Sequence, residues 1–196
     1  MNLTTIKQAQ TVYLGKEIEY YPELPSTHLW AKELIQQKNI SQGKLIVADQ
    51  QTQGIGTKGR NWYTGQAKNI AMTIMIKPEC SVSRLEGLTV TIANIMQQVI
   101  QELYGFPLTI KQPNDLLLNG KKIAGILTEV HTLAGSVNDL LISIGFNVNE
   151  DSFSEETKEL ATSLKQEYHQ EFEREKIMVL FLEKLEQQLK KAQIIT

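Results

Sequence analysis

Runs of apolar residues and their spacing divide the chain into strand-like and helix-like segments. Continuous apolar runs at residues 44–48 and 70–76 are typical of buried strands, and a short strand is predicted at 18–21. Apolar residues recur at helical spacing from about residue 83 to 103, which predicts a long helix with one face on the core. The apolar positions of this helix are Leu85, Leu88, Ile92, Ile95, Met96 and Val99.

Cap and turn residues place the other elements. Asn119-Gly120 lies between two apolar runs and is a strong signal for a two-residue β-hairpin. The remaining predicted elements are a helix at 28–35 with Ser26 or Thr27 as its N-cap, strands at 108–110, 116–118, 123–127 and 139–146, a turn at Pro113-Asn114-Asp115, and helical structure from residue 155 onward. This mixed order of elements predicts an α+β fold.

Length and composition favour one ordinary globular domain spanning residues 1–196. A formal net charge of −2 gives no general attraction to nucleic acid or to an anionic membrane, so neither is an expected partner. No run has transmembrane length, and the first ten residues lack the apolar core of a signal peptide. The single cysteine cannot form an internal disulfide, which fits a cytoplasmic location.

A glycine-rich segment with two cations and a tryptophan, residues 54–62, follows the first apolar run. Gly54 to Gly59 matches G-x-G-x-x-G, the dinucleotide-binding pattern. That pattern requires a helix to begin at the third glycine, whereas the next regular segment here is the strand-like run 70–76. The segment is therefore a loop between two strands. Its backbone N–H groups and cations suit an anionic ligand.

Two further clusters carry polar chemistry, at residues 111–115 and 121–125. Together they place a carboxylate and three ammonium groups on one hairpin. Each alone is most simply a turn or a solvated hairpin end, because short motifs match by chance. The indication of function rests on all three clusters in this order, followed by the strand end at 145–149.

This order resembles the biotin–protein ligases, over a region from residue 18 to the last helix. The resemblance rests on Ser26-Thr27, Gln51-Thr52-Gln53-Gly54-Ile55-Gly56, Gly59-Arg60-Asn61-Trp62, Lys111-Gln112-Pro113-Asn114-Asp115, Lys122-Ile123-Ala124-Gly125-Ile126-Leu127, Gly145-Phe146-Asn147-Val148-Asn149 and Ala161-Thr162-Ser163-Leu164. It implies a mixed, largely antiparallel sheet flanked by helices, as in the class II aminoacyl-tRNA synthetase-like biotin/lipoate ligase domain.

The resemblance also implies an activity and its residues. Biotin and ATP, accompanied by Mg²⁺ and without a fixed metal site, would form biotinyl-5′-AMP, and a lysine of a biotin carboxyl carrier protein would then take the biotin. The implied biotin-binding residues are Ser26, Thr27, Gln51, Gly54, Gly56, Trp62, Lys122 and Gly125. The implied ATP and adenylate residues are Gly59, Arg60, Lys111, Asn114 and Asn147. Lys122, Lys111, Arg60 and Asp115 are the expected catalytic residues.

The chain departs from the family pattern at Ile55 and Thr57, where arginine is common, and at Gln112, where tryptophan is usual. It is also expected to lack the N-terminal DNA-binding domain and the C-terminal β-barrel of some relatives. Two alternatives therefore stay open: a non-catalytic module that binds biotin or its adenylate, and a lipoate-type ligase. Gln51 and Trp62 argue against the second. Relatives often pair through sheet edges, so a homodimer is possible.

The three histidines, His28, His131 and His169, lack metal-ligand spacing and are expected to be ordinary surface or packed residues.

Overall fold

The computed structural model describes residues 1–133 and 136–196. Its helices are α1 (Leu3–Lys7), α2 (Thr27–Gln36), α3 (Leu88–Tyr104), α4 (Leu164–Tyr168) and α5 (Arg174–Lys191). Its strands are β1 (Ile18–Leu24), β2 (Lys44–Gln51), β3 (Ile70–Ile76), β4 (Thr109–Lys111), β5 (Asp115–Leu118), β6 (Lys121–Leu133) and β7 (Ser136–Phe146). Short 3₁₀ turns occur at Thr57–Gly59 and Val82–Leu85.

The seven strands form one sheet in the order β1-β2-β3-β7-β6-β5-β4. Only the β1–β2 pair is parallel, and the other five pairs are antiparallel. The expectation of a mixed, largely antiparallel sheet flanked by helices is confirmed.

Both faces of the sheet are covered, which explains why its central strands are apolar throughout. Side chains alternate across a strand, so Leu45 and Val47 of β2 join the core under α1, α3 and α5. Ile46 and Ala48 pack on the opposite face with α2. All seven residues of β3 are buried. The apolar run 70–76 is thus a central strand, and the glycine-rich segment before it is a loop between β2 and β3.

The Asn119-Gly120 hairpin prediction is confirmed. These two residues join β5 to β6 with φ values of 51° and 81°, in the left-handed region that asparagine and glycine tolerate best. The second strand is longer than the predicted 123–127, because β6 continues to Leu133 along its partner β7.

Helical structure from residue 155 onward was partly wrong as a prediction. Residues 155–160 form turns, Ala161 forms an isolated bridge with Lys122, and the helices begin only at Leu164 and Arg174. The backbone N–H groups of Thr157 and Lys158 both donate to the Ser154 carbonyl, which closes a turn. The long helix predicted from residue 83 likewise begins later, at Leu88, since Gly87 precedes it with a φ of 72°.

Candidate active site

The first wall of the site lies where β1 ends and α2 begins. Ser26 is the N-cap of α2, and its Oγ accepts a hydrogen bond of 3.4 Å from the Leu29 N–H. Ser26 and Thr27 are both buried. The cap therefore fixes two adjacent hydroxyl-bearing residues at the edge of a cavity.

Gln51, the last residue of β2, ties this cap to the loop that follows. Its Oε1 accepts hydrogen bonds from the Thr27 N–H at 2.9 Å and from the Thr27 hydroxyl at 3.2 Å. Its Nε2 donates to the Thr64 hydroxyl at 3.3 Å. The Gln51 amide thus joins the strand β2 to the start of α2 and to the loop. Its remaining hydrogen-bonding positions lie at the cavity wall.

The glycine-rich loop folds back on itself as a narrow ribbon. The Trp62 N–H donates to the Gly54 carbonyl at 2.8 Å, and the Gly56 N–H donates to the Arg60 carbonyl at 2.6 Å. A Cβ on Gly54 would lie 2.3 Å from the Trp62 carbonyl oxygen, so this position requires glycine. Lys58 and Gly59 make the tip with positive φ.

This ribbon places the Trp62 indole flat against the sheet. Gly125 of β6 and Gly145 of β7 are paired in register, and the ring lies over both. A Cβ on Gly145 would lie 2.2 Å from Trp62 Cε2, and one on Gly125 would lie 3.1 Å from Cζ3. The indole Nε1 is buried without a hydrogen-bond partner among the described residues.

Lys122, near the start of β6, is the cation closest to this indole. Its Nζ lies 5.4 Å from the centroid of the Trp62 ring and 2.6 Å from Asp115 Oδ1. The neighbouring Lys121 instead donates to the Lys158 carbonyl at 3.2 Å. Of the two adjacent lysines, Lys122 therefore faces the site, and Asp115 holds its ammonium group in place.

Two cavities meet at Lys122, Trp62, Gly56 and Thr57. The first cavity is lined by Ser26, Thr27, His28, Gln51, Ile55, Gly56, Thr57, Trp62, Met72, Asn114, Lys122, Gly125, Ile126, Leu127, Ser143, Ile144 and Gly145. The second cavity is lined by Gly56, Thr57, Arg60, Asn61, Trp62, Tyr63, Lys122, Asn147, Phe153, Thr157, Leu160 and Ala161. Residues from all seven sequence motifs are thereby brought together.

Most of the predicted site residues line one of these cavities, and four do not. Gly54 and Gly59 shape the loop, and Asp115 contacts the cavity through Lys122. Lys111 is exposed on β4 and lies outside both walls.

Two predicted adenylate residues also brace the backbone. The Asn114 side chain donates to the Ile126 carbonyl at 3.2 Å, and the Asn147 side chain donates to the Thr162 carbonyl at 3.1 Å. Arg60 is exposed, and its guanidinium donates to the Thr57 carbonyl and hydroxyl at 3.2 and 2.9 Å. Its charge is therefore held at the wall of the second cavity, beside Thr57, which lines both.

A chain of polar side chains at the wall of the first cavity was not predicted from the sequence. His28 contacts Ser143 Oγ through Nδ1 at 2.8 Å and Glu129 Oε2 through Nε2 at 2.9 Å. Ser143 in turn contacts Thr73, which donates to Thr27. Burial lowers the pKa of His28 below its ordinary value, against the opposing effect of Glu129. The position of His28 directly after Ser26-Thr27 was the available signal.

In residues 1–133 and 136–196, no three His, Cys, Asp or Glu side chains lie where they could together hold a metal ion. Among the described helices, none is both long enough and apolar enough to cross a membrane.

The sheet and the paired cavities define a small-molecule-binding α+β domain with a cation at the junction of two subsites. The sequence pattern of the biotin/lipoate A/B protein ligase family matches residues 20–149. The chain belongs to this family.

Relatives and solved structures agree with that assignment. The bifunctional ligase/repressor BirA of Bacillus subtilis is 38% identical over 159 residues, which cover 80% of this chain and 49% of BirA. The biotin--[acetyl-CoA-carboxylase] ligase of Paracoccus denitrificans is 32% identical over 111 residues, covering 56% of this chain and 46% of that protein. The chain thus spans about half the length of these relatives.

Among solved structures, the biotin protein ligase from Aquifex aeolicus in complex with biotin and ATP aligns with a TM-score of 0.77 and 28% identity, over 91% of this chain and 72% of that one. The Leishmania major biotin protein ligase in complex with biotinyl-5-AMP aligns with a TM-score of 0.70 at 21% identity, over 88% and 75%. The second likeness concerns the fold alone.

Proposed function

We propose that this protein is an ATP-dependent biotin–protein ligase. It forms biotinyl-5′-AMP from biotin and ATP and transfers the biotin to a lysine of a biotin carboxyl carrier protein. The observation that carries the proposal is the meeting of two cavities at Lys122, one with a polar wall of hydroxyls and an amide, the other with Arg60 and Asn147. The relative named as a biotin--[acetyl-CoA-carboxylase] ligase and the Aquifex aeolicus biotin protein ligase structure support the same activity.

The first cavity suits the ring system of biotin. A ureido ring is small and polar, with two N–H donors and one carbonyl, so several partners must compensate for its loss of water. Ser26, Thr27 and Gln51 offer hydroxyls and an amide at one end of the cavity. Met72 and Ile144 provide apolar surface for the rest of the molecule, and Trp62 covers it.

The first chemical step brings a carboxylate to a polyphosphate, and the two anions repel each other. The carboxylate oxygen attacks the α-phosphorus, a C–O–P linkage forms, and the bond to pyrophosphate breaks. Lys122 would neutralise the carboxylate and the developing acyl phosphate, held by Asp115 at 2.6 Å. Arg60 would contact phosphate from the wall of the second cavity. Mg²⁺ would enter with the ATP phosphates.

In the second step the carrier lysine amine attacks the acyl carbon, an amide forms, and AMP leaves. Asp115 would orient the Lys122 cation or accept the proton of the incoming amine. No side chain of this protein acts as a nucleophile. Lys111, exposed at the end of β4, would contact phosphate only as an outer cation.

The carrier, a homodimer and a cytoplasmic location belong to this proposal as well. The single cysteine and the requirement for ATP are consistent with the cytoplasm.

One assay separates this proposal from its two alternatives. The protein is incubated with Mg-ATP, a biotin carboxyl carrier domain, and either biotin or lipoate, and the mass of the carrier is measured. We expect biotin to be attached and lipoate to be left free. Retained biotin binding without carrier modification would favour a non-catalytic binding module. Attachment of lipoate in preference to biotin would favour a lipoate-type ligase.

Restoring a cation where the two cavities meet is expected to slow release of the adenylate. Thr57 lines both cavities at the position where relatives often carry arginine. A charge-assisted hydrogen bond contributes about 1.5–3 kcal/mol, so Thr57→Arg should lengthen the lifetime of bound biotinyl-adenylate roughly tenfold to hundredfold. The lifetime is measured by rapid gel filtration of the loaded protein. Thr57→Met, which adds length without charge, is the control, and an unchanged release rate in Thr57→Arg would contradict the prediction.

A further inference from the structure

We infer that His28 is a positioning residue that sets, through Ser143 and Thr73, whether Thr27 and Gln51 offer free acceptor oxygens to the ligand head group. This inference rests on the proposed binding of biotin in the first cavity. It assigns a role to a histidine that the activity itself does not require.

The geometry is a continuous chain of short polar contacts running from the cavity wall to a carboxylate. Thr27 Oγ1 lies 3.2 Å from Gln51 Oε1, and Thr73 Oγ1 lies 2.9 Å from Thr27 Oγ1. Thr73 and Ser143 are 2.8 Å apart, and Ser143 Oγ is 2.8 Å from His28 Nδ1. Thr27, Thr73, Ser143 and His28 are all buried, and Thr27, Ser143 and His28 also line the first cavity.

Counting the protons along this chain links the charge of His28 to the direction in which its hydrogen bonds run. Each hydroxyl has one proton to donate. If Thr27 donates to Gln51 and Thr73 donates to Thr27, the Thr73–Ser143 contact must take its proton from Ser143. The Ser143–His28 contact must then take its proton from Nδ1. Since Nε2 faces the Glu129 carboxylate at 2.9 Å and also needs a proton, His28 is an imidazolium in this arrangement.

Removing one proton from His28 reverses every link. The ring keeps its Nε2 proton and donates it to Glu129, so Nδ1 becomes an acceptor. Ser143 then donates to Nδ1, Thr73 donates to Ser143, and Thr27 donates to Thr73. The Thr27 hydroxyl then no longer donates to Gln51, whose Oε1 keeps only the Thr27 N–H at 2.9 Å. One acceptor site on Gln51 and one on Thr27 become free at the cavity wall.

The charges around His28 allow it to exist in both forms. Glu129 and His131 face it from β6, and Lys32, one turn further along α2, binds Glu129 at 2.8 Å. The other contacting strands, β3 and β7, contribute the uncharged Thr73 and Ser143. Burial lowers the pKa of His28 below its ordinary 6.5, so the ring is neutral at about pH 7.5 and gains its proton only as the pH falls through that lowered pKa.

The neutral form therefore presents the wall that a ureido ring needs. Its two N–H groups require acceptors, and the neutral form offers one more acceptor site on Gln51 and one more on Thr27 than the charged form does. Affinity is present above the pKa of His28 and is lost as the pH falls through it. Binding of biotin below that pKa must expel the His28 proton, at a cost of up to about tenfold in affinity per pH unit.

The test is titration calorimetry of the whole protein with biotin, between about pH 5.5 and 8, where the biotin carboxylate stays ionised. Buffers of different ionisation enthalpy report the protons released on binding. We expect the wild type to release towards one proton at low pH. His28→Gln and Ser143→Ala should bind biotin without pH dependence. In the Ser143→Ala variant, NMR of the His28 imidazole should still show that ring titrating.

His131→Gln is the matched control, because His131 contacts Glu129 at 3.0 Å from the same strand but is not part of the chain to Thr27. It should keep a pH dependence of biotin binding, displaced towards higher pH because His131 no longer lowers the pKa of His28. An unchanged pH dependence in both His28→Gln and Ser143→Ala, or its absence from the wild type, would overturn this inference alone. Failure to bind biotin at any pH would contradict the proposed function together with it.

Discussion

Replacing Lys122 by alanine is expected to lower the rate of biotinyl-adenylate formation by about 10²–10³-fold, since a preorganised charge at a developing anion contributes that much. Lys122 is the cation shared by both cavities, and Asp115 holds its Nζ at 2.6 Å. Pyrophosphate release from Mg-ATP in the presence of biotin measures the step without a carrier.

Lys121→Ala provides the matched control for this variant. Lys121 precedes Lys122 on β6, but its Nζ contacts the Lys158 carbonyl and lines neither cavity. Its rate should be close to that of the wild type. Near-normal pyrophosphate release by Lys122→Ala would refute the role of Lys122, and thermal unfolding of both variants checks that the fold is intact.

Gly145→Ala is expected to weaken biotin binding roughly tenfold to hundredfold while leaving the sheet folded. The new Cβ would lie 2.2 Å from Trp62 Cε2, a separation that atoms do not tolerate. Overpacking of this kind costs about 1–3 kcal/mol, and the loop can relieve it by moving the indole away from the sheet. The dissociation constant of biotin, measured by calorimetry, reports the displacement.

Gly125→Ala tests whether the loss of biotin affinity follows the severity of the clash with Trp62. Its Cβ would approach Trp62 Cζ3 to 3.1 Å, so a small shift of the ring suffices and the loss of affinity should be smaller. In a Trp62→Ala background the Gly145→Ala substitution should cause little further loss, since the two residues act as one unit. Equal biotin affinity in Gly145→Ala and wild type would show that the indole does not form the cavity wall.

The local elements of the fold could be predicted because their signals are local. The hairpin at Asn119-Gly120 depends on two residues that accept positive φ, and the buried strand β3 on an unbroken apolar run. The extension of β6 to Leu133 could not be predicted in this way, since its polar residues are held in the strand by β7. Residues 155–160 have the composition of a helix but form turns that close on the Ser154 carbonyl.

The candidate site shows the same division. The positions of Ser26, Trp62 and Lys122 at the cavity walls follow from motifs that can be recognised in the sequence. The polar chain through His28 could not be predicted, because its members come from α2, β3, β6 and β7 and meet only in the folded sheet. Lys111 is exposed, and Asp115 contacts the first cavity only through Lys122. Neither could be predicted, because both depend on how the strands are arranged in the folded sheet.

The contact between Trp62 and the glycine pair has a consequence for how this sequence can change over generations. Gly125 and Gly145 leave empty the two side-chain positions that the indole occupies. A side chain at Gly145 would displace the indole, whereas one at Gly125 requires only a small shift of the ring. A substitution at Gly145 is therefore tolerated only together with a change at Trp62, more than eighty positions earlier in the chain.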